Sequence, residues 1–241
     1  MNNKTVTKLE IEELTKLGKY TKRNIKKLEN YYPIQYLIGY VDFYGNKINV
    51  NKNVLIPRYE TEYLIEKTIK HLKELNINNP KVLDLCTGSG CIGLTIKKLI
   101  PSQVTMSDIS RKALKVAKKN RKELNLETKI IKSDLFKNIK DDKYDLIISN
   151  PPYVMEEEVL PEELKYEPKL ALYAKNNGTQ IIERILKEAK RYINSKYLIA
   201  IEINEQSEKD LTKIVKDYFP TSKYTFEKDL SGKTRYLFIH E

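Results

Sequence analysis

From residue 82 onward, short apolar runs alternate with helical patterns, and this alternation restricts the chain to a parallel α/β sheet with crossover helices. The runs fall at 82–85, 104–107, 129–131, 146–148 and 197–201. Between them lie a glycine turn leading into a helix that ends at Pro101, and a helix capped by Ser110 with Ala113, Leu114 and Ala117 inward. Further helices are predicted over 180–192 and 207–218. The tail, 224–226 and 236–239 around Ser231-Gly232, reads as a closing antiparallel hairpin. In open sheets of this kind, ligands bind beyond the carboxyl ends of the strands. Functional residues are therefore sought where each strand stops.

The run Leu146 to Ile148 stops at Ser149 and then Asn150-Pro151-Pro152-Tyr153. Two prolines fix φ at consecutive positions and remove two N–H donors, and Pro151 holds Asn150 extended. The side-chain oxygen of Asn150 and the carbonyl of Pro151 form a stiff pair of acceptors that suits a planar –NH2 group. Tyr153 is expected to lie against that plane. The first strand ends in Asp84-Leu85, followed by Cys86-Thr87-Gly88-Ser89-Gly90. Gly88 and Gly90 are read as a short G-x-G turn, without the third glycine of a dinucleotide fingerprint and without the Gly-Lys-Ser/Thr of a phosphate loop. Such a turn lets backbone N–H groups approach a ligand. Asp108, at the end of the second strand, is placed to accept hydrogen bonds from both hydroxyls of a ribose. Asp84 is expected to orient backbone or to meet an ammonium group. A dinucleotide needs a pyrophosphate cradle that is not visible here, whereas S-adenosyl-L-methionine needs only the short turn.

The chain has 241 residues, 40% of them hydrophobic, enough for one sizeable core with a small appendage. No apolar run is long enough to span a bilayer, and the first residues carry no signal-peptide core. Cys86 and Cys91 straddle the glycine turn and read as packing residues of a reducing compartment rather than a disulfide or metal pair. The net charge of +11 is mostly lysine spread through every segment. It fits a compositional bias better than a nucleic-acid footprint, although it could steer the chain to an acidic partner. Ahead of the sheet, 6–17 and 20–31 are predicted helices too small to hold a core alone. Pro33 follows, and then an alternating stretch with Gly45-Asn46 at its middle reads as a β-hairpin. Arg58 sits at the start of a helix running to about 75, where it could serve a carboxylate.

Taken together, Asp84 to Gly90, Asp108, Ser133-Asp134-Leu135-Phe136 and Asn150 to Tyr153 resemble the class I S-adenosylmethionine-dependent methyltransferases acting on planar nitrogen. More narrowly, they resemble the HemK-like release factor glutamine methyltransferases. That branch is indicated by Gln35-Tyr36-Leu37-Ile38-Gly39, Leu55-Ile56-Pro57-Arg58 with Glu60-Thr61-Glu62, Tyr166-Glu167-Pro168, and Asp229-Leu230-Ser231-Gly232 with Arg235. The resemblance covers 33–241 and implies a Rossmann-like sheet of seven strands with a small helical N-terminal domain and a linking β-hairpin. The expected division is a helical domain at 1–32, a hairpin linker at 33–56 and a methyltransferase domain at 57–241.

The resemblance also implies methylation of the glutamine side-chain nitrogen in the Gly-Gly-Gln motif of class I peptide chain release factors. The donor would be S-adenosyl-L-methionine, the product S-adenosyl-L-homocysteine, and the compartment the cytoplasm. No membrane and no stable nucleic-acid complex are expected. Cys86, Thr87, Gly88, Ser89, Gly90, Asp108, Leu135 and Asn150 would hold the cofactor, with Leu135 along the adenine. Asn150, Pro151, Pro152 and Tyr153 would bind the glutamine amide, Asn150, Pro151 and Tyr153 as the catalytic set, with Arg58, Asp84 and Asp134 in support. Two features depart from the family pattern: the helical N-terminal part is short, and Tyr59 stands where a further proline is common. Rival readings are the same chemistry on a ribosomal-protein glutamine or on an adenine of RNA or DNA, and a cofactor-binding relic without activity.

Overall fold

The computed structural model describes residues 4–140 and 142–241. Residues 1–3 of the expected helical domain therefore lie outside the described residues. Helix α1 (Lys8–Lys16) begins at a capping box in which the Thr7 hydroxyl and the Glu10 carboxylate satisfy each other's backbone N–H. Helix α2 (Lys22–Glu29) is capped by Thr21. Leu14, Leu28 and Ile38 close a small apolar cluster between these helices and the segment that follows.

That segment departs from expectation. Besides the hairpin, 33–56 contains a short helix, α3 (Ile34–Ile38). Pro33 stands at its N-cap, with φ already fixed near the helical value, and Gly39 ends it in the left-handed region at φ +93°. Strands β1 (Tyr40–Phe43) and β2 (Asn46–Asn49) then pair antiparallel. Their turn is Tyr44-Gly45, both at positive φ, as a tight hairpin requires, one residue earlier than Gly45-Asn46. Phe43, Ile48, Val50 and Val54 enter the main core, so the hairpin packs as part of the sheet's own layer.

Helix α4 (Tyr59–Glu74) leads to the sheet. The chain then runs through β3 (Lys81–Leu85), α5 (Cys91–Leu99), β4 (Gln103–Asp108), α6 (Arg111–Glu123), β5 (Lys129–Lys132) and β6 (Tyr144–Ser149). After a 3-10 turn at Glu162–Tyr166 come α7 (Lys169–Leu172), α8 (Gln180–Ala189), β7 (Ile193–Glu202), α9 (Glu208–Tyr218), β8 (Lys223–Lys228) and β9 (Thr234–His240). The described residues form a seven-stranded sheet ordered β5-β4-β3-β6-β7-β9-β8. Pairing is parallel from β5 to β7 and antiparallel at β9 and β8. The alternation within strands sorts the core into two layers. Val82, Leu146, Ile148, Leu198 and Ala200 face α4, α5 and α6, while Leu83, Leu85, Ile147, Ile199 and Ile201 face α8 and α9. Strand order reverses between β3 and β6, and their register sets Leu85 beside Ser149. The glycine turn and the Asn-Pro-Pro-Tyr loop thus leave the sheet side by side, at the switch point where this architecture opens a crevice. Among the described residues no helix is long and apolar enough to cross a membrane.

Candidate active site

A cavity of about 290 Å³ opens above β3, β4 and β6. On its wall stand Cys86, Thr87, Gly88 and Ser89 from the first turn, Asp108 from the end of β4, Asp134 and Leu135 after β5, and Asn150 and Pro152 after β6. Most residues predicted to bind a cofactor are therefore gathered in one place. Gly90 is not on the wall. Its φ is +85°, and a Cβ there would press to 3.1 Å from Leu94 and 3.3 Å from Ala117, so it serves the packing of α5 on α6. Gly93 corrects the reading of the loop. With Gly88 and Gly90 it completes the full G-x-G-x-x-G spacing, and its missing side chain lets α5 lie on Met106 and Asp84, at 2.7 and 2.9 Å from a built Cβ.

The turn is held from beneath. Asp84 is fully buried. Its Oδ2 accepts from the Gly93 N–H at 2.9 Å and from the Thr87 hydroxyl, while Oδ1 has no partner. Burial raises its pKa to about 7, against the lowering by the Thr87 and Gly93 bonds. Asp108 accepts from Gly88 N–H at 2.9 Å through one oxygen and from Ser110 N–H at 2.7 Å through the other. Each oxygen keeps a further lone pair, and Asp108 lines the cavity. A Cβ on Gly88 would meet nothing nearer than 4.0 Å, so the backbone there is open to a ligand. Leu135, at φ +46°, turns a buried apolar face to the same space. Asp134 pairs with Arg184 of α8 at 2.9 Å on the rim. A nucleoside whose hydroxyls donate to Asp108 and whose flat base face meets Leu135 fits these acceptors and this apolar wall.

Asn150 donates through Nδ2 to the Thr61 hydroxyl at 3.0 Å. Among the described residues nothing donates to its Oδ1 or to the Pro151 carbonyl, so both acceptors stay free. Pro151 is buried and, like Tyr153, does not line the cavity. Tyr153 differs from expectation: its hydroxyl is drawn to Glu202 at the end of β7, donating to Oε1 at 2.8 Å. The loop is backed by Gly178, where a Cβ would come within 2.1 Å of the Tyr153 carbonyl oxygen. Arg58 serves a carboxylate, as expected. It pairs with Glu167, whose other oxygen accepts from Ile56 N–H at 2.9 Å, tying the α4 entrance to the segment after the loop.

Four residues of this neighbourhood had no assigned role from sequence: Thr61, Glu167, Glu202 and Asn120. Asn120 donates to Ser89 O at 2.9 Å and to Asn49 O at 3.0 Å, locking the glycine turn to the hairpin. Its signal was a polar residue continuing the apolar stripe Ala113, Leu114, Ala117 of α6. That of Glu202 was a carboxylate closing an apolar strand at the same sheet edge.

Residues 62–165 match the family model described as the methyltransferase small domain. The release factor glutamine methyltransferase of Streptococcus pneumoniae is 38% identical over 220 residues, 90% of this chain and 77% of that one. The enzyme of the same name from Leptospira interrogans is 37% identical over 93% of this chain and 80% of its own. Among solved structures, a methyltransferase from Pyrococcus furiosus shares the fold with a TM-score of 0.60 at 18% identity, covering 92% of this chain and 98% of that one. A 16S rRNA N2 G1207 methyltransferase of T. thermophilus, in complex with AdoMet and guanosine, does so with a TM-score of 0.62 at 15% identity, over 84% of this chain and 49% of that one.

Proposed function

The chain belongs to the release factor glutamine methyltransferases, and from that premise we propose that it methylates the side-chain nitrogen N5 of the glutamine in the Gly-Gly-Gln motif of class I peptide chain release factors. When bound, S-adenosyl-L-methionine would supply an electrophilic methyl group, with S-adenosyl-L-homocysteine as the product. The observation that carries the reading is Asn150, whose Oδ1 accepts from no donor among the described residues, on the wall of the same cavity as Asp108, with the unpaired carbonyl of Pro151 next to it in the chain.

A carboxamide nitrogen is a poor nucleophile because its lone pair is delocalised into the carbonyl. The two acceptors take one N–H each and turn the nitrogen's face toward the cavity. As the N–C bond forms and the sulfur–carbon bond breaks, positive charge grows on nitrogen, and both hydrogen bonds strengthen. One N–H proton is lost to solvent afterwards. Catalysis of this kind rests on positioning and fixed dipoles rather than on a strong base. Asp108 would hold the ribose hydroxyls, the Cys86 to Ser89 turn would bind the amino-acid end, and Leu135 would meet the base. Tyr153 keeps the acceptor loop in place from below through Glu202, while Asp84 and Arg58 brace the two walls.

We assign 1–32 to docking the body of the release factor, 33–56 to the link and 57–241 to methyl transfer. The reaction belongs in the cytoplasm, where release factors work, and needs no stable nucleic-acid complex. Incubation with labelled donor, followed by mass spectrometry of the Gly-Gly-Gln peptide, tests the reading. A peptide that gains no methyl group would sink it. Ribosomal protein or RNA offered in place of the release factor separates the rival substrates. Asn150→Ala is expected to lower turnover roughly 10²–10³-fold, by analogy with the loss of one oxyanion donor.

A further inference from the structure

We propose that Thr61 and Glu202 are positioning residues for methyl transfer, fixing which end of the Asn150 carboxamide faces the substrate. The proposal rests on the reading of Asn150 as the acceptor for a glutamine N–H.

The two ends of a carboxamide are nearly the same shape and opposite in polarity. With Oδ1 toward the substrate, Asn150 binds an –NH2 group. With Nδ2 there, two donors face two donors and binding fails. The prolines that follow fix the backbone and leave this choice open. Thr61, the third residue of α4, decides it. Its hydroxyl has one proton, which it gives to Glu202 Oε2 at 2.8 Å. Only lone pairs remain for Asn150, so only Nδ2 can face Thr61, at 3.0 Å. A flipped amide would set oxygen against oxygen.

Glu202 sets the direction of this chain. As a carboxylate it can only accept, and it accepts from Thr61 on one oxygen and from Tyr153 on the other. It is 1% exposed, and among the described residues no cation lies within ion-pair distance. A buried carboxylate hydrogen-bonded by two hydroxyls and not by a cation is costly for stability, and such groups concentrate at functional sites. Burial pushes its pKa up, while Thr61, Tyr153 and the charge of Arg235 pull it back. Three separate elements meet here: the start of α4, the end of β7 and the loop after β6.

The test uses the full chain with a release factor as substrate. In Glu202→Gln, the new carboxamide can offer Thr61 either a donor or an acceptor, so Asn150 is free to turn. Thr61→Val keeps the side chain's shape and removes the hydroxyl, whereas Thr61→Ser keeps the hydroxyl. Turnover is expected to fall roughly 10–100-fold in Glu202→Gln and Thr61→Val, with the Glu202→Gln affinity for S-adenosylhomocysteine unchanged and Thr61→Ser restoring most of the rate. Wild-type turnover in both Glu202→Gln and Thr61→Val would overturn the proposal, and so would a loss that Thr61→Ser does not repair. The Asn150 side-chain ¹H–¹⁵N pair gives a second readout that needs no activity. It is expected to show a hydrogen-bonded shift and slow exchange in the wild type and to lose both in Thr61→Val. An unchanged pair overturns the proposal even if the wild type methylates no release factor, an outcome that by itself would count only against the substrate reading.

Discussion

At the scale of single residues, Asp84 carries the clearest energetic consequence. Its carboxyl is wholly buried with one oxygen unpartnered, and its pKa rises from 3.8 to about 7. The folded state therefore holds a proton that the unfolded chain releases earlier. Where the native state binds more protons than the unfolded state, stability falls as pH rises. The contribution of Asp84 is thus undiminished below about pH 4 and declines up to about pH 7. Asp84→Asn removes this dependence. The difference in Tm between wild type and Asp84→Asn, measured along a pH series, should shift in favour of the variant between about pH 4 and 7 and then level off. A difference that stays constant would refute the assignment. The neighbouring thiols behave otherwise: burial pushes both Cys86 and Cys91 up to about 12, which leaves them as inert packing groups.

At the scale of elements, function depends on how loops are backed. The acceptor loop is pressed against the turn before α8 at Gly178, where φ is +78° and no Cβ can fit against the Tyr153 carbonyl. Gly178→Ala must move one backbone or the other. Crowding of this kind costs about 1–3 kcal/mol, with a further 1 kcal/mol or so for the left-handed conformation. The expected result is a lower urea midpoint together with reduced turnover, since Asn150 lies three residues before the displaced carbonyl. A variant with both properties intact would show the loop to be independent of this turn. Sequence reading missed α3 for a related reason: Pro33 looks like a terminator, but at an N-cap it starts a helix, and only Gly39 and the bond from Tyr36 Oη to Val54 O at 2.6 Å fix that outcome.

At the scale of the whole molecule, the N-terminal helices hang on their own small cluster, while the hairpin belongs to the main core. Leu14→Ala should cost about 2–5 kcal/mol where it packs. The loss is expected to stay local, because Leu14 touches α2 and α3 rather than the sheet. Hydrogen exchange should quicken across 8–29 and remain slow in β3 and β6. Equal acceleration in the sheet would mean that the two clusters unfold together.

The sequence by itself determined the sheet, its edge and the kind of chemistry at that edge. Alternating apolar runs with helical periods permit few architectures, and Asn-Pro-Pro-Tyr and Asp108 sit where strands must end, so their placement follows from the local pattern alone. Tertiary structure decided how those residues are held. Thr61 lies 141 residues from Glu202 and 89 from Asn150, Glu167 lies 109 from Arg58, and Glu202 lies 49 from Tyr153, and hydrogen bonds between such partners leave no periodic trace in either segment. Whether Tyr153 faces a ligand or a buried carboxylate, and which end of Asn150 is free, depends on partners brought together only by the crossover of β6 and β7 beside α4.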